Sequence, residues 1–273
     1  MSEPTSYPQQ GNHFLVLDAN NDYLIVAVNF DNTQSQNTVG RQVLHPNLSQ
    51  AEKSKDADEE FDDIPQEEFE EDFIADPLEP INRIFFHFND KLYFWVLKPV
   101  ATGYKKVAPE PLRISVRNFF SNLFTPIRAV NCLLQGKFKG FGNELLRFVA
   151  NSTVGMLGFM DPAKTALNLE KQDEDFGQTL GLYGLGPGFF INWPILGPSS
   201  LRGTVGVVGD GFIDPLNYLV DSTLYNAATR GYEQVNTTSL TIGEYESLKK
   251  AALDPYVSLR DAYYQYRKNK IKK

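Results

Sequence analysis

Histidine and cysteine are the scarce residues in this chain, and their scarcity removes most of the familiar enzyme chemistries. Only His13, His45 and His87 occur, and two of them precede the acidic stretch described below. One histidine is left in the body, too few for a triad, a metal cluster or a shared base. The single cysteine, Cys132, sits in an apolar run from Ala129 to Leu134, so it reads as a small buried hydrophobe and forms no internal disulfide. No G-x-S-x-G elbow, phosphate-binding G-x-x-x-x-G-K-[ST] or zinc spacing is present. The start, MSEPTSYPQQGNH, shows neither a signal peptide nor a cysteine for lipid attachment. The reading is therefore of a protein without catalytic machinery, cofactor or metal.

Aromatic residues are what the chain has in excess, with 20 Phe, 13 Tyr and 2 Trp in 273 residues. Rings with an apolar body and a polar edge suit the headgroup zone of a bilayer, and they equally suit a core. The formal charge of −8 misleads. Thirteen acids against two lysines lie between Glu52 and Asp76, whereas the part after Asp76 carries 17 acids against 23 Lys and Arg. The body is mildly basic, which fits anionic lipid, nucleic acid or an acidic protein, and the aromatic load favours lipid over nucleic acid.

Residues 1–75 are expected to be a flexible, acidic arm, with FLVL and YLIVAV able to pair as a short hairpin across Asn20-Asn21-Asp22. The body, 76–273, opens with Asp76-Pro77-Leu78-Glu79, read as a capping carboxylate, a proline at the first helical position and an acid in the first turn. Ile81, Ile84, Phe85, Phe88, Leu92 and Val96 follow at helical spacing and form one stripe, while Phe86, Tyr93 and Phe94 break the polar face. Such a helix is either buried on two sides or lies in a lipid interface. Thr125-Pro126, Asp161-Pro162, Asp214-Pro215 and Asp254-Pro255 repeat the start signal. Helices are placed near 111–123, 126–135 (stopped by Gly136), 141–157, 199–209, 215–232, 241–252 and 255–270. The class is all-α.

The uncharged window from Phe176 to Leu201 is long enough to cross a bilayer, yet it holds six glycines and three prolines, which exclude a continuous spanning helix. Irregular backbone at membrane depth must be buried in protein or line a wet cavity, so this window is expected to pack on the helices or line a channel. Gly184-Leu185-Gly186-Pro187-Gly188 reads as a tight turn rather than a phosphate cradle. Asp173-Glu174-Asp175 reads as a solvated loop rather than a cation site. Gly203, Gly206 and Gly209 lie about a turn apart, where another helix can approach closely.

From Asp76 onward the chain resembles the MlaA (VacJ) lipoproteins of Gram-negative outer membranes. The resemblance rests on DPLEPINRIFFHFND (76–90), KPVATGYKKVAPEPLR (98–113), NFFSNLFTPIRAVNCLLQG (118–136), RFVANSTVGMLGFMDPA (147–163), DFGQTLGLYGLGPGFFINWPILGPSSLR (175–202), DPLNY (214–218) and DPYVSLRDAYYQYR (254–267). It implies a ring-shaped bundle of short helices at the membrane interface, in the inner leaflet of the outer membrane, with an amphipathic channel. It further implies removal of stray phospholipid from the outer leaflet, delivery to a periplasmic carrier of the MlaC type, and trimeric porins as neighbours. By the same resemblance, Phe159, Met160, Leu167, Leu169, Phe176 and Leu180 belong to a hairpin segment at the channel. The first-helix motif is Asp76, Pro77, Leu78, Glu79, Asn82, Arg83, Phe88 and Asn89, of which Asp76, Pro77 and Glu79 are expected to cap and Asn82 and Arg83 to hold neighbouring segments. The missing signal and lipidated cysteine depart from the family pattern. A soluble helical interaction protein and a lipid-modifying enzyme are the competing readings.

Overall fold

The computed structural model describes residues 13–17, 23–27 and 73–272. Residues 28–72, which hold most of the acidic stretch and of the expected flexible arm, lie outside the described residues. The short hairpin forms: β1 (His13–Leu17) and β2 (Tyr23–Ala27) pair antiparallel, with Leu15 opposite Ile25.

The body is helical, as the periodicity implies. A long first rod consists of α1 (Glu79–Leu92), a π turn at Tyr93–Leu97 and α2 (Lys98–Val107). Pro99 has no N–H to give to the carbonyl one helical turn before it, and the ladder widens into the π turn at that place. The expected Asp76 cap is not made: Leu78 occupies the cap position without a side-chain bond, and Pro80 is the proline in the first turn. Asp76 Oδ1 instead accepts from Asn82 Nδ2 at 2.8 Å, and its other oxygen accepts from the Tyr256 hydroxyl.

Next come α3 (Glu110–Leu123), α4 (Thr125–Leu134) and α5 (Phe138–Thr153). Gly136, at φ +70°, provides the left-handed turn between α4 and α5. Helix α5 begins and ends earlier than 141–157, and its early end precedes Met156, Leu157 and Gly158, which turn left-handed. The one-turn α6 (Pro162–Thr165) is capped by Asp161, and α7 (Phe176–Leu182) by Asp175.

The Gly/Pro-rich window divides into α7, a glycine turn and the hairpin β3 (Phe190–Trp193) with β4 (Gly197–Ser200). Its backbone is tied to the body, since the Phe190 amide donates to the Ala75 carbonyl at 2.8 Å. The proposed helix over 199–209 is α8 (Leu201–Gly211). The expected 215–232 helix is broken at Val220 into α9 (Leu216–Leu219) and α10 (Thr223–Thr241), and α10 runs past its expected end. Helices α11 (Glu244–Ala251) and α12 (Pro255–Lys272) complete the chain.

The glycine row of α8 makes the close approach that its spacing promised. A Cβ on Gly206 would lie 2.6 Å from the Gly177 backbone nitrogen, so α7 and α8 touch main chain to main chain. The apolar core is small: Ile74, Phe86, Phe190, Tyr256, Leu259 and Tyr263 gather where α1, β3 and α12 meet. Phe190 makes edge-to-face contacts with Tyr256 and Tyr263. Helix α11 is held to the first rod by polar side chains: Tyr245 donates to Asp90 at 3.0 Å and Tyr93 to Glu246 at 2.9 Å. Among the described residues no helix is long and apolar enough to cross a membrane.

Candidate functional site

Four helices of the body, α1, α4, α5 and α8, are inverted relative to those of a water-soluble protein. In α5 the buried positions are Gly140, Glu144, Arg147 and Asn151, at spacings of four, three and four, which place them on one stripe. Glu144 is fully buried, whereas Leu146 and Val149 are 57% and 59% exposed. In α4, Thr125, Arg128, Asn131 and Cys132 face inward, and Leu133 and Leu134 face out. The stripe read in α1 behaves the same way: Ile81, Ile84 and Phe88 are exposed, and Asn82, Phe86 and Asp90 are buried. In α8, Arg202 and Asp210 are inside while Val205 and Val208 are outside. Burying polar groups while leaving aliphatic ones uncovered is costly in water and favourable only where the outside is itself apolar.

The interior stripes interlock. Arg128 pairs with Glu144 at 2.8 Å, and the second Glu144 oxygen accepts from the Gln172 amide at 2.7 Å. Arg147 reaches Asp161 at 2.9 Å and also donates to the Leu169 carbonyl, while Asn151 holds Asp161 at 3.0 Å and the Ala163 amide at 3.1 Å. Asn131 donates to Asp210 at 2.7 Å and accepts from Thr179 at 2.9 Å, and Asp210 also takes the Phe176 amide. The polar side chains of α4, α5 and α8 thus tether the chain from Asp161 to Thr179 at many points. A small cleft lined by Asn118, Asn122, Arg128 and Arg147 opens on this network.

The three successive acids are not a solvated loop. Each takes its own cation, because neighbouring residues point in different directions: Asp173 meets Lys171 and Lys270, Glu174 meets Lys137 at 2.8 Å, and Asp175 takes a two-pronged bond from Arg267, 2.7 Å on one prong. Burial on its own raises the Asp175 pKa, and the Arg267 charge and hydrogen bonds more than offset that, holding it well below the usual carboxylate range. Asp161 is likewise depressed: desolvation opposes ionisation, and the Arg147 and Asn151 bonds outweigh it. Burial pushes the Cys132 thiol up to about 12, as expected of a cysteine that serves as a small hydrophobe. Burial first, and then the neighbouring Arg267 charge, lower the pKa of Arg202.

The hairpin-segment residues occupy two environments. Phe159, Met160 and Leu167 are exposed, with Phe159 stacked on Phe119 at 5.1 Å. Leu169, Phe176 and Leu180 are half-buried, and the Phe176 ring lies where a side chain on Gly209 would otherwise be. The first-helix motif residues mostly fasten segments together. Asn82 bonds the Phe190 carbonyl at 3.1 Å and receives the Asn192 amide at 2.9 Å. Arg83 bridges Glu79 and Asp254 and covers the Tyr256 ring. Asn89 holds both sides of the β3–β4 turn, donating to the Trp193 carbonyl at 2.8 Å and accepting from the Ile195 amide at 2.7 Å. Phe88 points outward, Pro77 is exposed and Leu78 half-buried. Sequence reasoning missed Arg128, Asn131, Glu144, Arg147, Asn151 and Asp210, and read Asp161 only as a cap. Their signal was a run of polar residues at three- and four-residue spacing inside otherwise apolar helices.

Known proteins resemble this chain in sequence and fold. The MlaA lipoprotein family matches residues 74–270. The intermembrane phospholipid transport system lipoprotein MlaA of Escherichia coli K12 is 34% identical over 195 residues, covering 70% of this chain and 76% of that protein. Its Haemophilus influenzae namesake is 31% identical over 193 residues, covering 70% and 76%. A solved chain from work on the structural basis for maintenance of bacterial outer membrane lipid asymmetry superposes with a TM-score of 0.65 at 32% identity, over 72% of this chain and 99% of that one. With a polar interior behind apolar faces, and these likenesses across nearly the whole helical body, the chain belongs to the MlaA lipoprotein family.

Proposed function

We propose that this protein moves phospholipid. It takes lipid that has strayed into the outer leaflet of a Gram-negative outer membrane, passes it through a polar-lined opening between its helices, and releases it to a periplasmic carrier of the MlaC type, which maintains the asymmetry of that membrane. The observation that carries the reading is the reversed burial of α1, α4, α5 and α8, with aliphatic side chains outside and ionised or amide side chains inside. Dragging a charged headgroup through hydrocarbon is the main barrier to lipid crossing, and a hydrated polar route removes most of it. The tails follow the apolar outer faces. Seating in the inner leaflet, without spanning, agrees with the lack of a membrane-crossing helix among the described residues. Trimeric porins are the neighbours that the family resemblance implies.

In this reading the segment from Phe159 to Leu180 borders the opening. Phe159, Met160 and Leu167 meet lipid, and Leu169, Phe176 and Leu180 fix the segment to the body. The first-helix residues Asp76, Pro77, Leu78, Glu79, Asn82, Arg83 and Asn89 keep the enclosure shut, with Phe88 on the lipid side. The test uses the full chain in vesicles carrying a fluorescent phospholipid in one leaflet, and measures its appearance on an added periplasmic carrier. Wild-type protein should float with the vesicles and speed the transfer, with all lipid recovered intact. Phe119→Cys with Phe159→Cys, joined by a short cross-linker, should slow it. Undiminished transfer by the cross-linked form would remove the segment from the mechanism, and hydrolysed lipid would favour an enzyme instead.

A further inference from the structure

We infer that the turn Val154–Met160 is a knuckle that inserts into the hydrocarbon of the membrane, anchoring the rim of the protein among acyl chains; this rests on the lipid-transport reading above. Val154, Met156, Leu157, Phe159 and Met160 are all exposed, and the outward face of α5, with Leu145, Leu146 and Val149, runs directly into them. Residues 148–160 contain no charged side chain. The charges that bracket this stretch, Arg147 and Asp161, pair with one another at its base, so the tip can leave water without taking a charge along.

The backbone is prepared for the same environment. Six of the seven amides from Val154 to Met160 donate within the loop or to the helix turn before it: Val154 and Gly155 to Ala150, Leu157 to Ser152, Gly158 to Asn151, Phe159 to Met156 and Met160 to Gly155. A loop facing only water has no need of such closure, whereas one facing hydrocarbon cannot do without it. Met156, Leu157 and Gly158 stand in succession at φ +53°, +60° and +95°. Left-handed backbone is disfavoured for residues with a Cβ, and Asn or Gly would fit two of these positions with less strain. Bulky apolar residues there are exposed in spite of the strain, and an apolar surrounding offsets the exposure. Gly158 itself is required, because a Cβ would lie 2.4 Å from Asn122 Cβ. The only methionines other than Met1 are Met156 and Met160, and their flexible thioethers suit a liquid-like partner such as lipid tails.

The test places an environment-sensitive dye on Leu157→Cys in the full chain, with Lys250→Cys as the comparison site; Cys132 is buried and stays unlabelled. Vesicles of phosphatidylethanolamine and phosphatidylglycerol carry a quencher in the tails. The dye at position 157 should be quenched several-fold more than the dye at 250, and Leu157→Asp should weaken vesicle binding on the order of tenfold or more. Full-chain protein that floats and transfers lipid while position 157 remains unquenched would overturn the knuckle and leave the transport reading standing. Protein that does not bind vesicles at all would overturn both.

Discussion

Around Tyr256 the protein is built as water-soluble proteins are, with Phe86, Phe190, Leu259 and Tyr263 packed away from solvent and polar groups at the margin. Around Glu144 it is built the other way, with Arg128, Arg147 and Asn151 packed together and Leu145, Leu146 and Val149 outside. The two regions therefore answer to different solvents. The first has an interior that suits water outside, and the second has outer faces that suit lipid or detergent. In a region of the second kind, cohesion comes from matched charges and hydrogen bonds, which tolerate loss of a single partner poorly.

Breaking the polar region should give the largest effect. Glu144→Ala leaves the Arg128 guanidinium buried without its carboxylate, and the expected loss is about 3–5 kcal/mol in chemical unfolding of the detergent-solubilised protein. The apolar region should respond almost as strongly: Leu259→Ala opens a cavity and should cost about 2–5 kcal/mol by the same measurement. A loss from Leu259→Ala far above that from Glu144→Ala would show that the polar interior contributes little cohesion. Gly206→Ala forces α7 and α8 apart and should cost about 1–3 kcal/mol, with Ala at the unobstructed Gly142 as the control.

Acid acts on the paired carboxyls of the interior. The folded carboxyls of Asp175 and Asp161 sit below their unfolded values, so the stability they add is complete above about pH 4 and is lost as the pH falls through their depressed folded values. Thermal unfolding followed from pH 7 downward should keep its midpoint to near pH 4 and then drop, and the drop should be shallower in Asp175→Asn. The smallest expected change in stability is at the outer face. Leu146→Ser should move unfolding by less than about 0.5 kcal/mol while weakening vesicle binding by about 1.5–3 kcal/mol. Equal effects on both would mean that Leu146 packs inside the protein.

The helices were legible because proline and glycine punctuate them and apolar residues recur at the right period. Asp161 and Asp254 do cap, and Gly136 does stop α4. What the period could not reveal is which side of a helix meets the interior. The Ile81, Ile84 and Phe88 stripe has the same spacing whether it faces a core or a membrane, and only the tertiary arrangement shows that Asn82 and Asp90 go inside. Asp76 was misread as a cap because its tie to Tyr256 spans 180 residues, beyond any local pattern. The acids Asp173, Glu174 and Asp175 were misread for the same reason, their cations lying on α12 and before α5. In the site, the polar residues of α4 and α5 were visible as letters, but pairing between Arg147 and Asp161 required the left-handed turn that the periodicity did not contain.

The clasp between α1 and α12 also dictates a schedule. Asp76 and Arg83 find Tyr256 and Asp254 only after nearly the whole chain has been made, and Asp175 waits for Arg267. The clasp and the Asp175–Arg267 pair therefore stay open until the last helix emerges, whereas the Arg128–Glu144 and Arg147–Asp161 pairs, close in sequence, can form before it. The front of the molecule is thus fastened last, by residues at the far end of the chain.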